Sequence, residues 1–272
     1  MIGLQWLACT PQDPGQRAPS RTPEGMVIYA IGDIHGRCDL LESLLQGIEQ
    51  DGRQRPRSRT LVIFLGDYLS RGPDSRAVVD KVMSWRPPTP GVVEVVSLKG
   101  NHEDLALRFL QGDLAAGAHW FDYDGLDALA DYGVAAPDAL ARDEASLRSL
   151  RERFARALPH SHRAFFESLS VSRCEQDYHF VHAGVRPGVT LAQQTDQDQM
   201  WIRKRFLEST VDHGAVVVHG HSVVPQPEVH PNRIAIDTGA YASGVLTCLV
   251  LDGHQRSFLQ TVSARPDLAD SG

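Results

Sequence analysis

Three times in its first hundred residues this chain runs an apolar stretch of strand length into a glycine and a short polar side chain, then into a helix-patterned segment. VIYAI (27–31) ends at Gly32-Asp33 before CDLLESLLQGIEQ, and TLVIFL (60–65) ends at Gly66-Asp67 before SRAVVDKVMSW. VVEVVSL (92–98) passes through Lys99-Gly100-Asn101 into a helix near 103–111. Continuous apolar runs bounded by glycine read as buried strands, and the spacing that follows each reads as helix. Such units build a sheet whose strand carboxyl ends collect at one edge, where ligands bind. The fold class is therefore α/β.

At 272 residues the chain is long enough for one large core without covalent staples. We read residues 1–25 as a loose N-terminal extension, because prolines, glycines and polar residues follow there without periodicity. Residues 26–265 form the domain, with a helical insertion over about 112–170 that includes LRSLRERFARAL. Strand patterns return at YHFVHAG (178–184), AVVVHGH (215–221), RIAID (233–237), VLTCLVLD (245–252) and SFLQTV (257–262).

Composition excludes some partners. With 34 acidic against 27 basic residues and a net charge of -7, no global field draws the chain to nucleic acid or anionic lipid. An anionic substrate has to be held by a local positive centre. Cys9, Cys38, Cys174 and Cys248 are scattered without a CxxC pair, which argues against a disulfide framework and a thiolate zinc site. The opening MIGLQWLACTPQ has no basic residue ahead of its short apolar run, and no stretch approaches a membrane span. The expectation is a cytoplasmic protein.

The chemistry gathers at strand ends. Asp33 and His35 in GDIHG, Asp67 in GDYLSRG, Asn101 and His102 in GNHE, His182 in HAG and His221 in HGHS each follow a strand. Any one alone is most simply a loop cap or a satisfied surface residue; seven together are not. Carboxylates and imidazoles suit divalent transition metals, and the flanking glycines let the backbone turn sharply enough to converge them. A central aspartate could bridge two ions. A water shared by two such ions has its pKa lowered from ~15.7 to about 7 and becomes a nucleophile toward phosphorus.

In this order, GDIHG, GDYLSRG, GNHE, HAG and GH resemble the phosphoprotein phosphatase group of the calcineurin-like metallophosphoesterases, especially its small bacterial members, over about residues 27–251. The resemblance implies a sandwich of two mixed β-sheets flanked by helices. It implies Asp33, His35 and Asp67 on one metal and Asp67, Asn101, His182 and His221 on the other, with Asp67 as the bridge. It further implies Arg71 and Arg203 as the phosphate clamp and His102 as the acid that protonates the leaving oxygen. Guanidinium forks match phosphate oxygens, and imidazole donates a proton near neutral pH. The cofactors implied are two divalent ions, manganese first, with iron or zinc also compatible with a ligand set free of thiolates.

One residue departs from the group. Where most of its protein phosphatases carry an aspartate that pairs with the catalytic histidine, this chain has Ser70. A serine stabilises imidazolium less than a carboxylate does. The departure predicts a weaker acid–base dyad, or a substrate whose leaving group needs less protonation. Symmetrical diadenosine tetraphosphate hydrolases also have a non-acidic residue at this place. Tyr68, GPDS (72–75), HAGVRPG and DTGA look more like bacterial protein phosphatases. A serine/threonine phosphoprotein phosphatase is thus ranked first, a dinucleoside polyphosphate hydrolase second, and a catalytically idle metal-binding phosphate sensor third.

Other residues near the motifs receive plainer readings. His219 is taken as packed, Arg205 as a solvated neighbour of Arg203, Arg37 as capping or solvated with the phosphate as its alternative reach, and Glu103 as a first-turn carboxylate favoured by the helix dipole, the alternative being that it orients backbone or ligand groups. Asp237 in DTGA is placed beside the ligands without being one.

Overall fold

The computed structural model describes residues 2–9, 20–55, 59–88, 91–135 and 142–262. The three early strands are β2 (Met26–Ile31), β3 (Arg59–Phe64) and β4 (Val92–Ser97), parallel and in register, with Met26 opposite Arg59 and Arg59 opposite Val92. They belong to a six-stranded mixed sheet of order β1-β11-β10-β2-β3-β4, completed by β1 (Gly3–Ala8), β10 (Thr247–Asp252) and β11 (Gln255–Val262). A second mixed sheet has the order β5-β6-β7-β9-β8, from β5 (Ser172–Glu175), β6 (Tyr178–Val181), β7 (Val216–His219), β8 (Glu228–Val229) and β9 (Arg233–Ala235).

Strand β2 is buried at all six positions because its two faces serve two cores. Side chains alternate along a strand. Val27, Tyr29 and Ile31 pack in one core with Leu41 and Leu44 of helix α1 (Cys38–Gln54), whereas Met26, Ile28 and Ala30 pack with Tyr178, Phe180, Val216 and Val218 of the second sheet. Strands β3 and β10 divide in the same way, Val62 and Val250 on the helical side and Leu61 and Leu249 between the sheets. A strand covered on both faces reads as an uninterrupted apolar run, which is the pattern VIYAI carries.

Helices α2 (Ser75–Ser84) and α3 (Asn101–Leu110) follow β3 and β4 as expected. The insertion is helical, comprising α4 (Leu114–Phe121), α5 (Gly125–Asp131), α6 (Glu144–Ala157) and α7 (His160–Ser168), with Trp120, Phe154 and Phe166 fully buried in the helical core.

The N-terminal reading needs correction. Gly3–Ala8 is not loose: it pairs antiparallel with β11 along its whole length, Gly3 opposite Val262 and Ala8 opposite Ser257, and forms the sheet edge. Ser20 and Thr22 are also buried, and Thr22 N–H donates to the Gly253 carbonyl at 3.0 Å. An edge strand with Leu4 and Trp6 largely exposed lacks the apolar signature of a central strand, and its partner lies some 250 residues away in sequence. The rest of that expected segment, 10–19, and the end of the expected domain, 263–265, lie outside the described residues.

Candidate metal centre

All the strand-end residues come to one edge of the sandwich, and the loops holding them are locked to each other. His35 N–H donates to the Asp67 carbonyl at 2.8 Å, and Gly220 N–H to the His182 carbonyl at 2.8 Å. Five non-glycine residues of these loops hold left-handed backbone: His35 (φ 45°), Asp67 (51°), Ser70 (73°), Arg71 (69°) and His221 (62°). Each such residue costs on the order of 1–3 kcal/mol and persists only where its surroundings fix it, as at functional sites. Two glycines are required by close approach. A Cβ on Gly100 would lie 2.1 Å from Asp67 Oδ1, and one on Gly220 would lie 1.9 Å from Asp33 Oδ1.

Asp67 is the hub. Its Oδ2 lies 3.4 Å from His35 Nε2, 3.5 Å from His182 Nε2 and 3.9 Å from His102 Nε2. Two groups of buried ligand atoms share it: His35, Asp67 and His102 on one side, Asp67, His182 and His221 on the other. Asn101 Oδ1 is 3.0 Å from His182 Nε2, and His221 Nδ1 is 3.2 Å from the same nitrogen. Asp33 accepts the His221 N–H through Oδ2 at 2.9 Å, while its Oδ1 is buried without a hydrogen-bond partner. All six expected ligands are therefore gathered, with Asp33 beside the tightest clusters and His102 inside one.

These residues suit a pair of cations. His35 Nδ1 faces the Leu69 carbonyl at 2.8 Å and His182 Nδ1 the Leu65 carbonyl at 3.0 Å. A carbonyl only accepts, so each Nδ1 carries the proton and each Nε2 lone pair is left for the shared site, an arrangement typical of metal-ligating histidine. Burial pushes Asp67 up to about 7, and Asp33 is driven well above the carboxylate range by burial and by Asp237 beside it. Burial also holds His35 down at about 3 and His182 at about 4, the Arg71 charge assisting at His35. A pocket that disfavours both ionised carboxylates and protonated imidazoles is relieved by external positive charge, which a divalent ion brings. Among the described residues the orphaned Asp33 Oδ1 and His221 Nε2 are further donor atoms without a partner.

The cavity over this centre has a volume of about 50 Å³ and is lined by His35, Asp67, Arg71, Asn101, His102, Tyr123, Trp201, Arg203 and His221. Both expected arginines thus reach it, Arg71 partly buried and Arg203 exposed on the short stretch between α8 (Asp196–Trp201) and the next helix.

Ser70 does not partner His102. Its Oγ accepts the indole N–H of Trp120 at 3.0 Å, and its backbone N–H donates to Ser75 Oγ at 3.1 Å. His102 Nδ1 is buried with no hydrogen-bond partner.

Glu103 does more than answer a helix dipole. Its carboxylate accepts four backbone N–H groups, from Asp67 (2.9 Å), Tyr68 (2.9 Å), Leu69 (3.2 Å) and Gly100 (3.0 Å), and so clamps the Asp67 loop to the start of α3. Burial and the neighbouring Asp67 push it up to about 8 against the pull of those donors. Its position in GNHE allowed this role as an alternative; three of its four partners lie 34–36 residues upstream and are invisible locally. Asp237 sits beside Asp33, its Oδ1 accepting Gly239 N–H at 2.9 Å. His219 packs against Phe206 at 5.0 Å and faces the Gly220 carbonyl, outside both ligand groups. Arg37 is tied to Asp39 and the Ala240 carbonyl.

An α/β sandwich with a carboxylate–imidazole cluster at its strand ends defines a metal-dependent hydrolase class. The calcineurin-like phosphoesterase profile matches residues 26–255, and the chain belongs to that family. Among similar proteins, the asymmetrical bis(5′-nucleosyl)-tetraphosphatase PrpE of Oceanobacillus iheyensis is 24% identical over 267 residues, covering 90% of this chain and 96% of that protein. Serine/threonine-protein phosphatase 2 of Salmonella typhimurium is 27% identical over 235 residues, covering 81% and 90%. The solved structure of a candidate diadenosine tetraphosphatase superposes with a TM-score of 0.56 over 84% of this chain and 90% of that one, at 17% identity, a likeness of fold.

Proposed function

We propose that this metallophosphoesterase hydrolyses phosphoanhydrides, with dinucleoside polyphosphates as the substrate class. The observation that carries this reading is the partnerless Nδ1 of His102, with no carboxylate at position 70 and the Ser70 Oγ accepting from Trp120 instead. Asp33, His35 and Asp67 would hold one divalent ion and Asp67, Asn101, His182 and His221 the other. When bound, such ions supply Lewis acidity to a phosphoryl oxygen and lower the pKa of water. Manganese, iron and zinc are all compatible with ligands of oxygen and imidazole nitrogen, and the family resemblance puts manganese first.

The remaining steps fall to side chains. Arg71 and Arg203 grip the phosphoryl oxygens as guanidinium forks and orient the phosphorus over the cavity. His102 stands ready to give a proton from Nε2 to the departing oxygen. Without a carboxylate at Nδ1 its imidazolium is poorly stabilised, so the proton-bearing form is scarce near neutral pH. A serine alkoxide leaves badly without that proton; a polyphosphate oxygen is far less basic and leaves with little help. On this ground we place the anhydride reading ahead of the phosphoprotein reading that the motifs ranked first.

A second reading, phosphoserine or phosphothreonine hydrolysis in proteins, draws on the Salmonella relative and on the motif likeness through HAGVRPG. The deciding experiment is metal-supplemented turnover of diadenosine tetraphosphate against a phosphothreonine peptide, with Asp67→Asn as the blank. Faster dinucleotide cleavage is expected. Faster peptide cleavage overturns the anhydride reading, and no turnover of either leaves the idle sensor.

A further inference from the structure

The cavity of about 50 Å³ takes a phosphoryl group and little more, so whatever the phosphate is attached to lies on the rim. That rim is aromatic. Tyr123, just beyond α4, stands 6.3 Å from His102 and 5.2 Å from His119, and His119 lies nearly parallel to Trp201 at 5.5 Å and 14°. Trp201 in turn meets His221 edge-on at 6.3 Å. The four contacts form an arc from the proposed proton donor, around the cavity mouth, to a proposed metal ligand. Tyr123 is 38% exposed, although large aromatic rings are normally drawn into a core, and it is absent from the buried clusters that Trp120 and Phe121 join three and two residues earlier. Arg203, at the same mouth, adds positive charge beside the arc.

Resting on the anhydride reading, we propose that Tyr123, backed by His119 and Trp201, is a nucleobase platform that selects nucleotides over other phosphate compounds. An exposed aromatic face offers a flat π surface to a base, and base–aromatic stacking contributes ~1–3 kcal/mol per base, about 5- to 150-fold in affinity. Tyr123 and His102 line the same cavity, so a base on the Tyr123 ring would lie next to a phosphate held there. The phosphorylated side chain of a phosphoserine or phosphothreonine peptide carries no ring of its own to set on this arc.

The test uses metal-loaded full-length protein and two probes that share a sugar phosphate, AMP and ribose 5-phosphate, titrated by calorimetry. Wild type binds AMP at least about tenfold more tightly, Tyr123→Ala brings the affinity ratio close to one, and Tyr123→Phe preserves it. Because the side chain is exposed, the alanine variant keeps its fold, checked by its melting temperature. A wild-type ratio near one, or a Tyr123→Ala loss equal for both probes, overturns the platform. Diadenosine tetraphosphate turnover is read in parallel. A high ratio in an enzyme that cleaves only phosphopeptide supports the platform while removing the anhydride reading, and a ratio near one with dinucleotide turnover intact removes the platform alone.

Discussion

At the scale of single residues, charge and hydrogen-bond capacity decide what each side chain can do. Asp67 supplies the oxygen that three imidazoles surround, so Asp67→Asn is expected to release both ions and cut turnover by on the order of 10³-fold or more, with metal content falling in parallel by elemental analysis. His219→Ala, two residues from His221, should keep its metal and lose only ~1–2 kcal/mol of stability, because His219 packs on Phe206 outside the ligand groups. Equal metal loss in the two variants would overturn the assignment of His221. Ser70 is the informative difference. Ser70→Asp gives His102 a carboxylate neighbour, and phosphothreonine peptide turnover should rise about tenfold while dinucleotide turnover changes less than about twofold. The proposed ligand residues were legible in sequence because glycines and strand ends mark them. The role of Glu103 was legible only as the second of two readings, since a carboxylate that accepts four N–H groups looks locally like any first-turn glutamate.

At the scale of elements, parallel strands deliver the ligands and loops aim them. Strands β2, β3 and β4 stop level with one another, so Asp33, Asp67 and Asn101 leave the sheet side by side. Gly100 lets α3 start against the Asp67 carboxylate, where a Cβ would sit 2.1 Å from Oδ1. Gly100→Ala should therefore weaken metal binding ten- to a hundredfold by displacing that carboxylate, measured by titration against a chelator, while the far-ultraviolet spectrum is retained. Strand β1 lies at the opposite side of the β2-containing sheet from β4 and touches no ligand. Removing residues 1–9 should lower the melting temperature by several degrees, as loss of one edge strand does, and leave turnover per metal-loaded molecule within about twofold. A collapse of activity would mean that β1 supports the centre. Central strands betray themselves by apolar runs; β1 is half exposed and finds its partner only in the assembled sheet.

At the scale of the whole molecule, stability and metal binding are linked through the buried charges. In the metal-free protein folding raises Asp67 from 3.8 to about 7 and Glu103 from 4.5 to about 8, so their contribution is full at low pH and is lost as pH rises through those values. His35 and His182 fall from 6.5 to about 3 and about 4, so their contribution is full above 6.5 and is lost as pH falls toward those values. Below 6.5 the two sets oppose each other; between 6.5 and 8 only the carboxylates change. The metal-free protein should therefore lose stability from pH 6.5 to 8, and divalent ions, by neutralising the carboxylates, should raise the melting temperature more at pH 8 than at 6.5. Calorimetry with and without a chelator reads both curves, and an equal rise at the two pH values would overturn the linkage.

The sequence by itself determined the strand–loop–helix order, the family resemblance, and the six residues that resemblance marks as candidate ligands, because apolar periodicity and glycine-flanked motifs are local signals. Tertiary structure alone decided that Ser70 turns to Trp120, 50 residues away, that His102 Nδ1 has no partner, and that Tyr123 and Trp201 meet around one cavity. Those facts depend on side chains from separate elements reaching the same few ångströms. Packing of the helical insertion over the sheet edge sets that proximity, and no local pattern encodes it.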